Sequence, residues 1–177
     1  MRNRIKRIIK ISENTRKEGE QQVKILIVDD NEDLREALST VLRDEGYNVI
    51  PAQDGFEAIA RVKEDGFAII FMDVLLPKMN GVEAYKAIKK IDPTAVTVMM
   101  TGFSVPALVQ EAMKEGAYAI LYKPFPVDEM LNMIKKIRKS PSFARNVVLA
   151  SEGSAKIKMP RPDAESGRGA SPVDSIS

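Results

Sequence analysis

The most constraining feature of this chain is a regular alternation between two hydrophobic periods over residues 23–139. Residues 23–28, VKILIV, form a short continuous apolar run rich in β-branched side chains, which is typical of a strand buried on both faces. The next stretch places Leu34, Leu38 and Val41 at helical spacing, which predicts a helix with one apolar stripe. The same succession occurs five times, so we expect five strands, each followed by a helix.

These five repeats predict one α/β domain. The strands are predicted at residues 23–28, 47–51, 67–72, 95–100 and 118–122. The helices are predicted between residues 31 and 46 and between 54 and 66, then over 82–91, 104–115 and 127–139. Strands that alternate with helices form a parallel sheet, because right-handed crossovers place the helices on both faces. Functional groups of such domains gather at the carboxyl ends of the strands.

Cysteine and histidine are both absent from the 177 residues. Without cysteine, the chain has no disulfide, no thiolate nucleophile and no cysteine-based zinc site. Without histidine, it lacks the commonest general base and metal ligand. Any chemistry must therefore use carboxylates, hydroxyls, lysine and arginine.

The net charge of +2 is unevenly distributed along the chain. Residues 1–22 carry seven basic and three acidic side chains, residues 23–139 carry fifteen and eighteen, and residues 140–177 carry five and four. The predicted α/β domain is thus mildly acidic, which argues against a domain-wide basic surface for nucleic acid. No apolar run reaches 18 residues, so no membrane span is expected.

The two ends of the chain differ in composition from the middle. Residues 1–22 are predicted to be a flexible basic extension, although isoleucines at helical spacing could form a basic amphipathic turn that contacts a membrane surface or nucleic acid. Residues 140–177 are rich in Ser, Gly and Pro and are predicted to be disordered. The alternative for this second tail is a short docking segment formed by Phe143, Val147, Val148 and Leu149.

Reactive side chains follow four of the five predicted strands. They are Asp29 and Asp30 after the first, Asp73 after the third, Thr101 after the fourth and Lys123 after the fifth. Taken singly, each has an ordinary structural role as a helix cap, a turn former or a surface charge. Together they are expected at one edge of the sheet, where three close carboxylates repel one another unless a cation holds them. A hard divalent cation such as Mg²⁺ suits such an all-oxygen cluster.

A site of this kind predicts phosphate chemistry. The reaction needs a carboxylate nucleophile that forms an acyl phosphate, a metal ion, and a hydroxyl and an ammonium group for the phosphoryl oxygens. Asp73 can supply the nucleophile and Asp30 can hold the metal. Thr101 and Lys123 can supply the hydroxyl and the ammonium group.

Four motifs resemble the receiver domains of two-component response regulators. They are VDDNED, FMDVLLPKMNG, MMTG and YKPF, in the order and spacing of that family. The resemblance covers residues 23–139, about two-thirds of the chain, and leaves 1–22 and 140–177 as tails. It implies a flavodoxin-like (βα)₅ fold, a doubly wound parallel sheet with strand order 2-1-3-4-5.

The resemblance also implies how a magnesium ion would be held. Asp73 matches the phosphoacceptor of the family, which is also a metal ligand. Asp30 matches a direct Mg²⁺ ligand, and Asp29 matches an acidic partner that acts largely through water. The backbone carbonyl of Leu75 would complete the ligands that the protein supplies.

Two further residues match the phosphoryl-binding part of the family site. Thr101 would bind the phosphoryl group in the signalling state, and Lys123 would pair with it. The Lys123–Pro124 bond resembles the family's cis peptide, for which an X-Pro bond is the least costly candidate. A phosphoryl group adds a charge of about −1.5 to −2, and the response reshapes the surface of the fourth helix, fifth strand and fifth helix. This surface is the usual partner or dimer face in the family.

By this resemblance the chain is a phosphoacceptor switch and not an enzyme that turns over a separate substrate. Its phosphodonor is expected to be a phosphohistidine on a sensor histidine kinase or a phosphotransfer protein, because the chain has no histidine of its own. Recognition of the kinase is expected around residues 33–41, and the implied location is cytoplasmic. No DNA-binding output domain is expected, since the stretch after residue 139 is neither long nor periodic enough.

Two positions depart from the usual pattern of the family. The family usually places Tyr or Phe three residues before the lysine, where the ring turns inward as the threonine moves; this chain has Ile120 there, with Tyr118 and Tyr122 at other positions. Two residues after the phosphoacceptor, Leu75 offers no polar side chain to orient an attacking water, while Gly102 leaves room for one. We therefore expect slow autodephosphorylation.

Three alternatives to a phosphorylated receiver remain open from the sequence. A pseudo-receiver whose tails do the work would not respond to acetyl phosphate or beryllofluoride. An aspartate-dependent phosphohydrolase would need a second acid two residues after its nucleophile, where this chain has Leu75. A purely structural module would leave the clustered carboxylates without a reason.

Overall fold

The computed structural model describes residues 23–102, 105–141 and 143. Within these residues the strands are β1 Lys24–Val28, β2 Asn48–Ala52, β3 Ile69–Asp73, β4 Val96–Thr101 and β5 Ala119–Tyr122. The helices that alternate with them are α1 Glu32–Asp44, α2 Gly55–Glu64, α3 Gly81–Ile91, α4 Pro106–Glu115 and α5 Val127–Lys139. In that part of the chain, none of the helices combines the length and apolar character needed to cross a membrane. The predictions for residues 1–22 and for Val147, Val148 and Leu149 fall outside the described residues.

The strands form one parallel sheet in the order β2-β1-β3-β4-β5. This order confirms the predicted doubly wound, flavodoxin-like arrangement. The chain runs outward from β1 to β2 and then crosses back to β3, so the order of the strands reverses between β1 and β3. The crevice at the carboxyl ends of these two strands is where doubly wound sheets bind ligands.

The sheet separates two apolar layers. One layer, called here the α2–α4 layer, contains Leu26 and Met99 together with buried side chains of α2, α3 and α4. The other, the α1–α5 layer, contains Ile27 and Phe71 together with buried side chains of α1 and α5. Because successive strand residues alternate between the faces, a strand covered on both sides reads as the continuous apolar run seen in the sequence.

Three of the helices begin with a side chain that accepts a backbone hydrogen bond. Asn31 accepts from the N–H of Leu34 at 3.0 Å, and Asp54 accepts from the N–H of Glu57 at 2.8 Å. Asn80 and the third residue of α3 form a reciprocal capping box. These caps fix the helix starts next to the carboxyl ends of β1, β2 and β3, so they also hold the loops that carry the acidic residues.

The observed strand ends differ from the predicted ones at two functional residues. Asp73 and Thr101 are the last residues of β3 and β4, whereas the sequence placed them just after these strands. The Cα atoms of both residues have register partners in the neighbouring strand, Met100 for Asp73 and Tyr122 for Thr101, so both residues belong to the sheet. The sheet itself therefore holds the backbones of the two residues.

Phe143 packs on the domain although it lies in the tail that was predicted to be disordered. Its side chain is buried in the α1–α5 layer. Its backbone N–H donates to the hydroxyl of Ser140 at 3.2 Å, and that hydroxyl donates to the carbonyl of Ile137 at 2.8 Å. The predicted disorder therefore does not extend to Phe143, because its ring completes an apolar layer that the sequence pattern alone does not reveal.

Candidate functional site

Three aspartates meet at the carboxyl ends of β1 and β3. Asp29 and Asp30 follow β1, and Asp73 ends the neighbouring strand β3. One carboxylate oxygen from each lies within 4.8 Å of the others. Asp29 and Asp73 are buried, while Asp30 is exposed. The predicted acidic cluster is therefore present, and its third member faces solvent.

Lys123 brings a positive charge into this cluster from the far edge of the sheet. Its Nζ is 2.5 Å from Oδ2 of Asp29 and also donates to Oδ2 of Asp73. The lysine directly follows β5, and its backbone N–H donates to the carbonyl of Thr101 at 2.7 Å. The Lys123–Pro124 peptide bond is cis, as the resemblance implied.

Burial and hydrogen bonding act in opposite directions on the ionisable groups of this site. Burial raises the pKa of the Asp73 carboxyl, and this effect exceeds the opposing hydrogen bonds from Lys123 and from the backbone of Leu75. Burial lowers the pKa of the Lys123 ammonium, but the hydrogen bonds to Asp29 and Asp73 outweigh it and leave that pKa raised. Lys123 therefore stays charged at neutral pH and offsets one of the three carboxylates.

Each buried aspartate uses its two oxygens differently. Oδ1 of Asp29 accepts the backbone N–H of Asn31, and Oδ1 of Asp73 accepts the backbone N–H of Leu75, both at 3.0 Å. These short-range bonds close turns over the residues that follow each strand. The Oδ2 atoms of both aspartates accept hydrogen bonds from Lys123. The local turns therefore orient both carboxylates, while the lysine draws them together.

A glycine is required where the loop after β3 returns to the site. The N–H of Gly81 donates to the carbonyl of Val74 at 2.9 Å. A Cβ atom at position 81 would lie 1.9 Å from the carbonyl oxygen of Asp73, which is far inside van der Waals contact. Only glycine allows the start of α3 to approach the phosphoacceptor candidate so closely.

Thr101 and Leu75 contribute backbone groups to the site, but neither side chain hydrogen-bonds to the clustered carboxylates. Thr101 is fully buried, and its hydroxyl donates to the carbonyl of Gly102 at 2.9 Å. The Leu75 side chain is 49% exposed, and its backbone N–H is the donor to Asp73. The structure therefore brings Asp29, Asp30, Asp73 and Lys123 together and leaves Thr101 turned to its own neighbour.

Two contacts at the site were not predicted from the sequence. Nη1 of Arg35 donates to the backbone carbonyl of Asp29 at 2.7 Å. Lys78 has a positive φ of 68°, and its Nζ lies 3.5 Å from Oδ2 of Asp54. The first contact ties α1 to the end of β1, and the second ties the loop after β3 to the start of α2. Neither residue carries a sequence signal for this role, because both contacts depend on how the loops pack.

The donor set fits a hard divalent cation. The candidate ligand atoms of Asp29, Asp30 and Asp73 are all carboxylate oxygens, which are the ligands that Mg²⁺ prefers. Three carboxylates and one lysine leave a formal charge of −2, which a divalent cation would balance. The exposed carboxylate of Asp30 gives the cluster an opening to solvent. Asp29, Asp30 and Asp73 are therefore the residues that could hold the metal.

Comparisons with known sequences agree with this geometry. The sequence model of the response regulator receiver domain matches residues 25–135. The chain is 37% identical over 117 residues to the chemotaxis protein CheY of Thermotoga maritima, an alignment that covers 66% of this chain and 98% of that protein. It is 34% identical over 113 residues to sporulation initiation phosphotransferase F of Bacillus subtilis, covering 64% of this chain and 91% of the relative.

The transcriptional regulatory protein ZraR of Salmonella typhimurium is a longer relative. It is 36% identical over 115 residues, which cover 65% of this chain but 26% of that protein. Among solved structures, a CheY-like receiver domain protein from Methanospirillum hungatei has a TM-score of 0.65 at 27% identity, covering 71% of this chain and 97% of that one. Chemotaxis protein CheY4 of Vibrio cholerae has a TM-score of 0.62 at 34% identity, covering 66% and 98%.

The matched residues include all or most of each of the five strands and five helices, and the aspartates and the lysine of the site lie among them. The receiver-like strand order and the full-length coverage of the single-domain relatives lead to the same assignment. The chain therefore belongs to the family of response regulator receiver domains.

Proposed function

We propose that residues 23–139 form a receiver that accepts a phosphoryl group on Asp73. The observation that carries this proposal is the position of the Asp73 carboxylate, which accepts a hydrogen bond from the Lys123 ammonium and lies beside the carboxylates of Asp29 and Asp30. A nucleophilic carboxylate, a fixed positive charge and a set of metal-binding oxygens are the parts that phosphoryl transfer to an acid requires.

The proposed reaction is a direct transfer between two proteins. An Asp73 carboxylate oxygen attacks the phosphorus of a phosphohistidine, a P–O bond forms, the P–N bond breaks, and the histidine nitrogen leaves with its electron pair. Lys123 pairs with an oxygen of the transferred group, and the Thr101 hydroxyl turns to donate to another. Mg²⁺, held by Asp29, Asp30, Asp73 and the backbone carbonyl of Leu75, would supply charge neutralisation at the phosphoryl oxygens.

The phosphodonor in this proposal is a sensor histidine kinase or a histidine phosphotransfer protein. The signal passes to a downstream protein through the surface of α4, β5 and α5, which is also the face for a phosphorylation-dependent homodimer. The exchange takes place in the cytoplasm, and the chain works as a switch without turnover of a separate substrate. The exposed Leu75 supports this last point, because a phosphohydrolase would carry its second acid there.

Acetyl phosphate and Mg²⁺ provide the direct test. Intact-mass measurement is expected to show the gain of one phosphoryl group in the wild type, and hydroxylamine is expected to remove it because the product is an acyl phosphate. Asp73→Asn should abolish the gain. Asp44→Asn, which removes an exposed aspartate at the far end of α1, should leave it intact.

Two results would overturn the proposal. One is an unchanged mass gain in Asp73→Asn, which would place the phosphoryl group elsewhere. The other is the absence of any response to acetyl phosphate or beryllofluoride in the wild type, which would leave a pseudo-receiver. Sustained turnover of a small phosphate ester would instead favour the phosphohydrolase.

A further inference from the structure

Arg35 reaches back from the first turn of α1 to the end of β1. It is the fourth residue of the helix, and its backbone N–H donates to the carbonyl of Asn31 at 3.0 Å. Its Nη1 donates to the backbone carbonyl of Asp29, six residues earlier, at 2.7 Å. The residue is therefore fixed at its base by the helix and at its tip by the end of the strand.

The carbonyl that Arg35 holds lies between two of the candidate metal ligands. It belongs to the peptide bond that joins Asp29 to Asp30. A peptide unit is planar, so a bond that fixes this oxygen also fixes the plane that contains the N and Cα atoms of Asp30. The other bonds of Asp29 hold its N–H to Ala52 and its Oδ1 to Asn31. The bond from Arg35 is the one that acts on the peptide plane leading to Asp30.

Asp30 is the member of the cluster that needs this support. The carboxylates of Asp29 and Asp73 are buried, and each accepts hydrogen bonds from a backbone N–H and from Lys123. The Asp30 side chain is exposed, and its carboxylate has no hydrogen bond or ion pair with the part of the chain that the structure describes. A ligand group that is not held in place loses conformational freedom when it binds, which weakens binding.

The charge of Arg35 acts against binding of a cation, which makes its role testable. A guanidinium is protonated at all ordinary pH values, so it repels a divalent cation at the neighbouring carboxylates. If Arg35 acted on the site only through its charge, its removal would strengthen the binding of Mg²⁺. If its hydrogen bond places Asp30, its removal would weaken that binding.

We infer that Arg35 is a positioning residue for the metal site. Its hydrogen bond to the Asp29 carbonyl sets the orientation of the Asp29–Asp30 peptide and keeps the Asp30 carboxylate close to those of Asp29 and Asp73. Groups that orient metal ligands in this way commonly raise metal affinity by about 10–100-fold. Arg35 itself contacts neither the metal nor the phosphoryl group. The inference rests on the Mg²⁺ site of the proposed function and adds to it the residue that keeps the site in shape.

Titration with MgCl₂ at constant ionic strength provides the test. Binding is followed by NMR through the backbone amides of Asn31 and Leu75, because these amides donate to the carboxylates of Asp29 and Asp73. The full chain is compared as the wild type and as Arg35→Met, which removes both the hydrogen bond and the charge. Arg35→Lys is a milder second variant that keeps the charge and a donor on a shorter side chain.

Arg43→Met is the matched control. Arg43 lies on the same helix, and its Nη2 also donates to a backbone carbonyl six residues away, that of Val49, at 3.0 Å. This contact lies at the end of α1 far from the aspartates. Loss of an arginine that ties α1 to the sheet is therefore common to both methionine variants, whereas loss of the tie to Asp29 is confined to one. Urea unfolding establishes that each variant is folded.

The Kd for Mg²⁺ is expected to rise about tenfold in Arg35→Met and to stay at the wild-type value in Arg43→Met. Arg35→Lys should fall between the wild type and Arg35→Met, and it carries the test alone if Arg35→Met does not fold. Phosphorylation by acetyl phosphate, which needs no kinase contact, should be slow in Arg35→Met at low Mg²⁺. It should recover the wild-type rate at saturating Mg²⁺, because Asp73 and Lys123 are intact.

Three results would overturn the inference. An unchanged or lower Kd in Arg35→Met would leave Arg35 only its charge, and an equal rise in Arg43→Met would show a general loosening of α1. A rate that stays low at saturating Mg²⁺ would place Arg35 in the transfer step itself. If the wild-type amides do not respond to Mg²⁺, the metal site and the inference fail together. If the wild type binds Mg²⁺ but gains no phosphoryl group, the proposed function fails while the role of Arg35 stands.

Discussion

At the scale of single residues, the two oxygens of each buried aspartate in the site accept hydrogen bonds from different donors. One oxygen of Asp29 and one of Asp73 are held by backbone N–H groups two residues further along the chain. The other two oxygens share Lys123. This arrangement lowers the free-energy cost of burying two neighbouring carboxylates, because each oxygen accepts a hydrogen bond and Lys123 provides a counter-charge.

Leu75 is expected to set the lifetime of the acyl phosphate. Because its exposed side chain cannot orient a water molecule, the phosphorylated wild type should decay slowly, and Leu75→Gln should decay about tenfold faster. That gain is smaller than the ~10²–10⁴-fold of a fully positioned group, because nothing else holds the new amide. The decay is followed by intact mass after removal of acetyl phosphate. Ile91→Gln, an equal change at an exposed apolar residue on α3, is the control, and a wild-type half-life of seconds would contradict the expectation.

Thr97 is a buried threonine whose hydroxyl lacks a hydrogen-bond partner among the residues that the structure describes. A buried unsatisfied group of this kind costs about 1–3 kcal/mol. Replacement by the isosteric valine in Thr97→Val should therefore raise the free energy of unfolding by about 1 kcal/mol, measured by urea denaturation. The matched variant Thr94→Val should lower it by about 1 kcal/mol, because the Thr94 hydroxyl donates to Asp92 at 2.6 Å. A loss of stability in both variants would show that the Thr97 hydroxyl has a partner.

At the scale of secondary-structure elements, side-chain hydrogen bonds hold the starts of three helices and the end of a fourth. Caps from Asn31, Asp54 and Asn80 hold the starts of α1, α2 and α3. The end of α4 is held by α3, since the hydroxyl of Tyr85 and the Nζ of Lys89 both donate to the carbonyl of Glu115. The start of α4 follows Thr101 closely in the chain, whereas its end is tied to α3.

The cap of α2 is expected to make stability depend on pH. The backbone N–H of Glu57 donates to Asp54, and this bond, aided by Lys78, holds the pKa of the Asp54 carboxyl below its usual value against the opposing effect of burial. A lowered pKa contributes stability that is complete above the unfolded-state pKa of about 3.9 and is lost as the pH falls through the folded-state pKa. The wild type should therefore lose stability below about pH 4 more steeply than Asp54→Asn, in which the cap cannot titrate.

Unfolding by urea between about pH 3 and 7 measures this difference. At neutral pH, Asp54→Ala should be less stable than the wild type by about 1 kcal/mol, because a cap is lost. Asp54→Asn should lose less, since asparagine also caps helices. Identical pH profiles for the wild type and Asp54→Asn would contradict the assignment of the cap.

At the scale of the whole molecule, the packed domain extends beyond α5. Phe143 fills the α1–α5 layer after α5 has ended. Phe143→Ala should therefore lower the free energy of unfolding by about 3 kcal/mol, the lower end for loss of a buried phenylalanine. A chain that ends after residue 140 should be less stable than one that ends after residue 146 to a similar extent, because only the longer chain keeps Phe143. Equal stability of both shortened chains would show that Phe143 does not contribute to the core. Thermal or urea unfolding provides the measurement.

The sequence by itself determined the class of fold and the identity of the acidic site. The two hydrophobic periods depend on residues only a few positions apart, so the alternation of strands and helices could be read directly. The aspartates could be grouped because the strands of a parallel sheet end at one edge. Strand order and the cis bond before Pro124 were implied by resemblance to the receiver family, and the structure confirms both.

Tertiary structure alone decided which atoms meet. Lys123 joins Asp29 and Asp73, which lie 94 and 50 residues away from it, and no local pattern encodes the reach of one side chain across the sheet. The register between β4 and β5 places Tyr122 beside Thr101, and a shift of one residue would have turned it to the other face. The burial of Phe143 likewise depends on the α1–α5 layer, which exists only after packing. Short-range periodicity is therefore sufficient for the elements, whereas contacts at the site depend on distances that only the folded sheet fixes.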